Sequence, residues 1–135
     1  MSDFNSVLQL QNYFLDDLEF RINEDEYEEN SLDLNPKFAL DSEERTAHIR
    51  FEFIVEENQI YMSGALVGRF TYDETVDEEL ARELLVVNGV TILFPYLRAT
   101  ISNVTNIANV PTITLPIVNV IDYLKEKYEQ INGEQ

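Results

Sequence analysis

The side chains that most often perform acid–base or metal chemistry are scarce in this sequence. His48 is the only histidine, and there is no cysteine. A Ser-His-Asp arrangement or a histidine-based metal centre needs partners in defined roles, and the neighbours of His48 are only the alternating Arg50 and Glu52. We therefore expect His48 to be an exposed strand residue without a catalytic role.

Carboxylates are the one plentiful reactive group. Residues 24–29 read Glu-Asp-Glu-Tyr-Glu-Glu, a run that could hold a hard cation but lacks the Asp-x-Asp-x-Asp-Gly spacing and the final Glu of a calcium loop. No carboxylate pair is marked by an apolar pocket that would divide acid and base roles, and no glycine-rich phosphate loop occurs. These patterns predict a solvated acidic loop, no metal site, no cofactor and no enzymatic activity.

The charge balance narrows the choice of partners. The chain has 135 residues, which predicts a single domain over residues 1–135, and 26 acidic against 9 basic residues give a formal charge of -17. Such a chain repels nucleic-acid phosphates and attracts basic, unfolded polypeptides. The lack of cysteines and of a signal-like start predicts a cytoplasmic protein. The apolar run at 84–97 is shorter than the roughly 20 residues that cross a bilayer, so we expect no stable membrane insertion.

Four strands are expected before any helix. In residues 8–22 the even positions are mostly apolar and the odd ones mostly polar, which is the period of a long, half-buried strand. The next strand contains Pro36, which favours a sheet edge or a bulge. The clearest hairpin spans 49–72 around a polar turn, and Gly64 and Gly68 in its second arm predict a bulge or a close approach by another backbone.

The chain after these strands predicts one long helix over residues 77 to about 103. Thr75 and Glu78 have the spacing of a capping box, which marks its start. Gly89 and Pro95 oppose this prediction, since they cost about 1 and about 3 kcal/mol in a helix interior. Local propensity alone would break the chain at Pro95 and place a strand before it.

A shorter helix is expected at the end of the chain. Asn119 is a good N-cap, and Val118 before it can pack against Tyr123 as a hydrophobic staple. The apolar side of this helix is supplied by Val120, Ile121, Leu124, Tyr128 and Ile131.

The long helix carries more apolar surface than one sheet face can cover, because apolar residues surround most of its circumference. Monomers rarely leave large contiguous apolar patches in water, and obligate interfaces resemble a domain core cut in half. We expect the excess to pack against another copy of the chain, and we assign this oligomer interface to Leu84, Val87, Leu93 and Leu97.

Two late blocks of the sequence carry a family pattern. The first block is Ile92, Leu93, Phe94, Pro95 and Tyr96 with Arg98 just beyond, and the second is Leu115, Pro116, Val118 and Asn119. Residues 10–20 and the Gly-Arg-Phe at 68–70 match two earlier parts of the same pattern. In this order and spacing, over nearly the whole chain, the sequence resembles the SecB family of bacterial export chaperones.

The resemblance implies an α+β fold: a four-stranded antiparallel sheet followed by a long helix and a second, C-terminal helix, packed on one side. Family members assemble as a dimer of dimers through the first strand and the long helix, so a homotetramer is expected. They hold unfolded or precursor polypeptides, without ATP, in hydrophobic grooves. At matching positions the client groove comprises Ile60, Tyr96, Val120 and Leu124. Ile60 and Val120 are aliphatic where the family often has an aromatic residue, which implies a looser pocket.

The resemblance also implies a docking patch for the SecA motor on the outer sheet face. Asp17 keeps one carboxylate of this patch, and Asp16 and Glu19 lie close enough in sequence to contribute. Arg21 and Ser63 stand where the family has two further carboxylates. Reversing one charge and deleting another should weaken the electrostatic steering of a basic SecA segment.

Four functions follow from these observations. The first is an ATP-independent holdase for non-native polypeptides, and the second is a SecB-like chaperone dedicated to one client, such as the antitoxin of a toxin–antitoxin pair. The third is a small-molecule-binding or catalytic domain on the same scaffold, which predicts a closed pocket with convergent polar groups. The fourth is a structural oligomer without a client.

Overall fold

The computed structural model describes residues 7–116 and 119–133, with the backbone alone from residue 128 onward. One antiparallel sheet has the strand order β1-β4-β3-β2, with β1 at Leu8–Ile22, β2 at Ser31–Asp41, β3 at Thr46–Glu57 and β4 at Ile60–Tyr72. A long helix follows, made of α1 (Glu78–Leu84), a π-helical turn (Leu85–Gly89) and α2 (Val90–Ile107), and then α3 (Val120–Gly133). This is the predicted α+β fold.

Two bulges in β1 change the side of the sheet on which its residues lie. The register with β4 shifts just after Leu10 and again just after Leu15. Each bulge adds one residue and so reverses the alternation of side chains between the two faces. Tyr13 therefore faces the helices, where its ring contacts Tyr96 at a centroid distance of 4.5 Å. Phe14, predicted on the buried side, lies on the outer face, so the simple period of two is wrong between the bulges.

Gly64 provides the close backbone approach that the sequence predicts, whereas the neighbour of Gly68 is a side chain. A Cβ at Gly64 would lie 2.1 Å from the carbonyl oxygen of Asp17, in the bulged part of β1. A Cβ at Gly68 would lie 2.8 Å from Cδ1 of Leu93 on the long helix. Neither glycine has a positive φ. Both are therefore required for space, one between two strands and the other between the sheet and the helix.

The long helix begins at a different cap from the predicted one. Asp77 is the N-cap, and its carboxylate accepts a hydrogen bond from the Leu80 amide at 2.8 Å. The predicted capping residue, Thr75, instead donates to Asp73, and these hydrogen bonds hold the pKa of the Asp73 carboxyl below its ordinary value. The Thr75–Glu78 capping box is therefore wrong, because the helix starts two residues later and the Asp77 carboxylate caps its first turn in place of the Thr75 hydroxyl.

The helix continues through both residues that oppose it locally. Gly89 ends the π-helical turn, and a Cβ there would lie 2.9 Å from Cδ1 of Ile49, so the glycine lets the helix sit close to the sheet. Pro95 lies inside α2. In the turn before it, the Thr91 hydroxyl donates to the Val87 carbonyl at 2.8 Å. The predicted continuity of the helix is confirmed.

Only one side of the long helix is buried by the sheet. Leu93, Leu97 and Ile101 have no exposed surface, whereas Val87 keeps 48% of its side chain exposed. By length and composition alone this helix could cross a bilayer, since its mean hydropathy is 1.6 over 18 residues, but 44% of that window is buried inside the chain. The helix is longer than the apolar run at 84–97, so its packing on the sheet, rather than its length, argues against insertion.

The last helix covers the free edge of β2. Asn119 caps it, because its side chain accepts from the amides of the first turn at 3.1 and 3.2 Å, as predicted. Tyr123 donates its hydroxyl to the Leu32 carbonyl at 2.8 Å, and Lys127 donates to the Leu34 carbonyl at 2.7 Å. β2 is an edge strand, as Pro36 predicts, and these contacts give two of its carbonyls partners. The predicted staple from Val118, and the side chains of Tyr128 and Ile131, lie outside the described residues.

Candidate functional site

An open cleft of about 770 Å³ lies between the long helix, the crossover after it and the start of α3. Its residues come from three segments of the chain. The helix contributes Val87, Thr91, Phe94, Pro95, Arg98, Ala99 and Ser102, the crossover contributes Thr114, and Asn119, Val120 and Ile121 come from the start of α3. Arg98 is the only charged residue among these lining residues, so the surface is predominantly apolar with hydroxyl and amide groups at intervals.

Side-chain hydrogen bonds from the long helix fix the crossover that forms one wall of this cleft. Arg98 donates through Nε to the Leu115 carbonyl at 2.7 Å, and Ser102 donates to the Ile113 carbonyl at 2.9 Å. Thr105 is completely buried, and its hydroxyl accepts from the Ile113 amide at 3.2 Å. Because these bonds satisfy an otherwise irregular backbone, the cleft is already formed within a single chain.

The structure separates the four residues predicted for the client groove. Val120 lines the cleft, but Ile60 and Leu124 are buried in the core and do not line it. Tyr96 is 40% exposed, yet it points toward Tyr13 and β1 rather than into the cleft. Of the predicted set, the geometry therefore assigns only Val120 to the cleft.

Sequence reasoning missed most of the helical wall. Val87, Thr91, Pro95 and Ala99 recur every four residues and thus lie along one face of the helix. Their side chains are shorter than those of the leucines on the buried face, which leaves a trough along the helix. This spacing of small residues was the signal that could have identified the wall.

The predicted oligomer interface also needs correction. Leu93 and Leu97 are completely buried and Leu84 is 7% exposed, so these leucines are occupied by the core of their own chain. Val87 is exposed, but it lines the cleft. Within the single chain, the sheet therefore covers the leucines of this predicted set, which the periodicity alone does not show.

A separate strip of apolar side chains is exposed along the edge strand β1. We call it the β1 strip, and it consists of Tyr13, Leu15, Leu18 and Ile22, which are 45%, 38%, 40% and 60% exposed. All of them lie on the helix-facing side of the strand, where the long helix leaves them partly exposed. This strip has the free apolar surface that the predicted interface leucines lack.

The carboxylates predicted for SecA docking are largely paired within the chain. Asp16 lies at the second bulge and forms an ion pair with Arg50, and Glu19 pairs with Arg21 at 2.7 Å. No ion pair involves Asp17 among the described residues. The outer face therefore presents mixed charges, and its acidic character is weaker than the sequence alone indicates.

The histidine and the carboxylates do not come together in a metal or acid–base site within the described residues. His48 is exposed in β3, as predicted. Within residues 7–116 and 119–127, no group of three or more His, Asp or Glu side chains is placed to hold a metal ion. The cleft thus offers apolar contact and hydrogen bonding rather than an arrangement of acid and base.

Comparison with known proteins identifies the family to which this architecture belongs. The family model described as preprotein translocase subunit SecB matches residues 3–130. The chain belongs to the SecB family. This confirms the resemblance carried by the two late sequence blocks and, because SecB proteins are chaperones, supports a chaperone role.

Relatives within the SecB family differ in how much of their length matches. An uncharacterized protein of Methanocaldococcus jannaschii is 32% identical over 147 residues, which covers 96% of this chain and 91% of the relative. The protein-export protein SecB of Anaplasma marginale is 28% identical over 97 residues, which covers 71% of this chain and 54% of that protein. The chain thus spans about half the length of this SecB relative.

Solved structures support the same SecB-like fold. The SecB-like chaperone of Mycobacterium tuberculosis, in complex with a peptide from the HigA1 antitoxin, superposes with a TM-score of 0.69 at 16% identity. The match covers 85% of this chain and 93% of that one. A protein of unknown function from Streptococcus agalactiae gives a TM-score of 0.52 at 13% identity. At these identities the likeness concerns the fold alone.

Proposed function

We propose that this protein is an ATP-independent holdase that binds non-native polypeptide segments in the cytoplasm. The observation that carries the proposal is the preformed, open and apolar cleft between the long helix and the crossover, in a chain of the SecB family. An open trough suits an extended polypeptide better than a small molecule, which is usually enclosed over most of its surface.

The composition of the cleft favours broad recognition. Val87, Pro95 and Ala99 offer exposed apolar contact, which depends on the area removed from water and little on sequence. Thr91 and Asn119 add hydroxyl and amide groups that can pair with an extended client backbone. Affinity is therefore distributed along the bound segment, and a single cleft should accept many apolar sequences.

The net charge of the chain complements this apolar recognition. At -17 it attracts basic segments over a distance set by the ionic strength and repels acidic ones. Capture should therefore begin with electrostatic attraction of an unfolded, basic client and end with burial of its apolar side chains. The capture rate is expected to fall as salt is added, and the bound state should be less sensitive to salt.

The assembly we propose uses β1 rather than the buried leucines of the long helix. The β1 strip presents contiguous apolar side chains on an edge strand, a surface that a second copy can cover while continuing the sheet. A homotetramer built as a dimer of dimers would bring several clefts together, so that one long client could occupy more than one of them.

A chaperone dedicated to one client is the second candidate, and the outer sheet face favours it. The pairing of Asp16 with Arg50 and of Glu19 with Arg21 lowers the charge available to a basic SecA segment. A structural relative, the Mycobacterium tuberculosis SecB-like chaperone, was solved with an antitoxin peptide. Capture of one dominant small client in place of many precursors would select this candidate, with SecA then a weak partner or none.

The experiment that tests the proposed cleft fills it with a large side chain. Ala99 is exposed on the helical wall, so Ala99→Trp should occupy the space of a client side chain. Asn103→Trp is the matched control, because Asn103 is exposed on the same helix but does not line the cleft. Suppression of aggregation of an unfolded test protein should be lost in Ala99→Trp and retained in the control. Equal activity of the two variants would exclude this cleft, and a wild type that suppresses no aggregation would exclude the holdase.

A further inference from the structure

A second cleft, of about 440 Å³, lies on the opposite face of the sheet from the helices. The register places Asn12, Arg69, His48 and Ala39 in one row across the four strands. The neighbouring row contains Thr71, Thr46 and Asp41, again on three adjacent strands. The small side chain of Ala39 leaves space beside His48, so donors from β1, β4 and β3 surround one shallow depression.

Arg69 differs from the other cations on this face. The others are paired with carboxylates: Arg21 with Glu19, Arg50 with Asp16 and Glu52, and Lys37 with Glu52. No carboxylate of the described residues lies within ion-pair distance of Arg69. In a chain with 26 acidic residues, an exposed guanidinium without a carboxylate partner is unusual.

The guanidinium of Arg69 is also held in place. Its central carbon lies 5.1 Å from the ring centroid of Phe14, which reaches the outer face because the two bulges reverse the alternation in β1. Stacking of this kind fixes the plane of the group and leaves its five N–H donors free for a ligand. Arg69 is therefore positioned at the rim of the cleft, and it forms no ion pair within residues 7–116 and 119–127.

The hydroxyls in the neighbouring row are placed to donate as well. Thr71 already accepts a hydrogen bond from the side-chain amide of Gln11 at 2.8 Å, so its hydroxyl hydrogen is free to point elsewhere. Thr46 lies opposite Thr71 in the register and lines the same cleft. Asp41 is the one carboxylate in the lining, and it accepts from the amides of the turn at 3.1 and 3.2 Å.

We propose that this cleft binds a phosphate-type oxyanion. Arg69 supplies the charged donor, His48 a ring N–H, and the two threonines hydroxyl donors from a second row, which together suit the oxygens of a tetrahedral anion. The cleft lies on the other side of the sheet from the apolar cleft, so the proposal does not depend on the holdase function. The group bound is either free phosphate or a phosphoryl group carried on a larger molecule.

His48 is a direct reporter of binding, because it is the only histidine in the sequence and therefore gives one set of ring signals in NMR. The protein is titrated with inorganic phosphate at fixed pH and at an ionic strength held constant with sodium chloride. A saturable change of the His48 ring chemical shift is expected. Phosphoserine and acetate are titrated in parallel to distinguish an esterified phosphoryl group from the free anion, and phosphate from carboxylate.

Three variants decide whether the shift comes from this cleft. Arg69→Gln should weaken phosphate binding at least about tenfold, as expected for loss of a charged hydrogen bond. Arg82→Gln removes the same charge from the helix, where the arginine is paired with Glu78, and should bind phosphate as the wild type does. Thr46→Val should also weaken binding while leaving Arg69 in place.

The outcomes separate clearly. Saturation by phosphate, with or without phosphoserine, supports the site, and binding of phosphoserine shows that the group can be carried on another molecule. A linear or absent shift, equal effects of Arg69→Gln and Arg82→Gln, or acetate binding as tight as phosphate would each overturn the proposal. The spectra of the variants show in the same experiment whether their fold is retained.

Discussion

Gly64→Ala is the sharpest test of how β1 packs on β4. The added methyl group would lie 2.1 Å from the Asp17 carbonyl oxygen, whereas real Cβ atoms essentially never approach closer than 3.0 Å. The clashing atom belongs to the backbone of a bulge, so no side-chain rotation relieves it. β1 must therefore move away from β4 by about 1 Å, which strains the ladder at this point.

The expected loss of stability follows from three contributions. Overpacking costs about 1–3 kcal/mol, and weakening one ladder hydrogen bond adds about 1 kcal/mol. Reduced freedom of the unfolded chain offsets about 0.4–1 kcal/mol of this. The net destabilisation by Gly64→Ala should be about 1–4 kcal/mol, a substantial share of the roughly 5–15 kcal/mol that is typical of a folded domain.

Gly68→Ala is the matched control, since it adds the same methyl group on the same face of β4, two pleat repeats further along the strand. Here the nearest atom is Cδ1 of Leu93 at 2.8 Å, the end of a side chain that can rotate. Its cost should be about 1 kcal/mol. Urea unfolding at a fixed protomer concentration measures both changes through the midpoint. A Gly64→Ala protein as stable as wild type, or more stable than Gly68→Ala, would refute the bulge geometry.

Three further predictions concern assembly, the last helix and acid stability. Leu18→Glu should reduce the oligomer mass measured by size-exclusion chromatography with light scattering. Leu80→Glu is the control and should leave the mass unchanged, because Leu80 is 43% exposed and Leu18 is 40% exposed. The opposite pattern would remove the β1 strip from the interface. Lys127→Met should loosen α3 by about 1–2 kcal/mol, because the Leu34 carbonyl loses its donor, and faster amide exchange confined to α3 would show it. Hydrogen bonds from Lys37 and Arg50 hold the pKa of Glu52 below its ordinary value of 4.5. The pairing therefore stabilises the folded state above pH 4.5, and this stabilisation is lost as the pH falls through the folded-state pKa. Glu52→Gln should therefore flatten the fall of the urea midpoint in that acidic window, and an unchanged slope would contradict the pairing.

The fold could be predicted largely from the sequence because most of its elements follow from short-range patterns. Alternation of apolar and polar residues identifies the strands, Pro36 identifies an edge, and Asn119 identifies the start of the last helix. The continuity of the helix through Pro95 is different, since local propensity opposes it and only the family pattern predicts it. The cost of the proline is met by packing along the rest of the helix, which local rules do not count.

The candidate site was much less predictable, because its residues meet only through tertiary contacts. The cleft needs the crossover to be tied to the helix by Arg98 and Ser102, and nothing in the spacing of these residues shows where their donors point. Ile60 and Leu124, predicted for the groove, are buried in the single chain, and a matching sequence position does not specify how deeply a side chain is covered.

The amino-acid sequence by itself determined the order and type of the elements, the acidic surface and the family, because these depend on local patterns and composition. Only the tertiary structure decided which apolar side chains are available. The bulges in β1 reverse its alternation at Tyr13 and Phe14. Leu93 packs against Gly68 of the sheet, so the helix face that the sequence pattern assigned to a partner is buried within the chain. Exposure is a property of the packed chain, since each side chain is covered by residues distant in sequence, and a periodic pattern does not record which residues cover it.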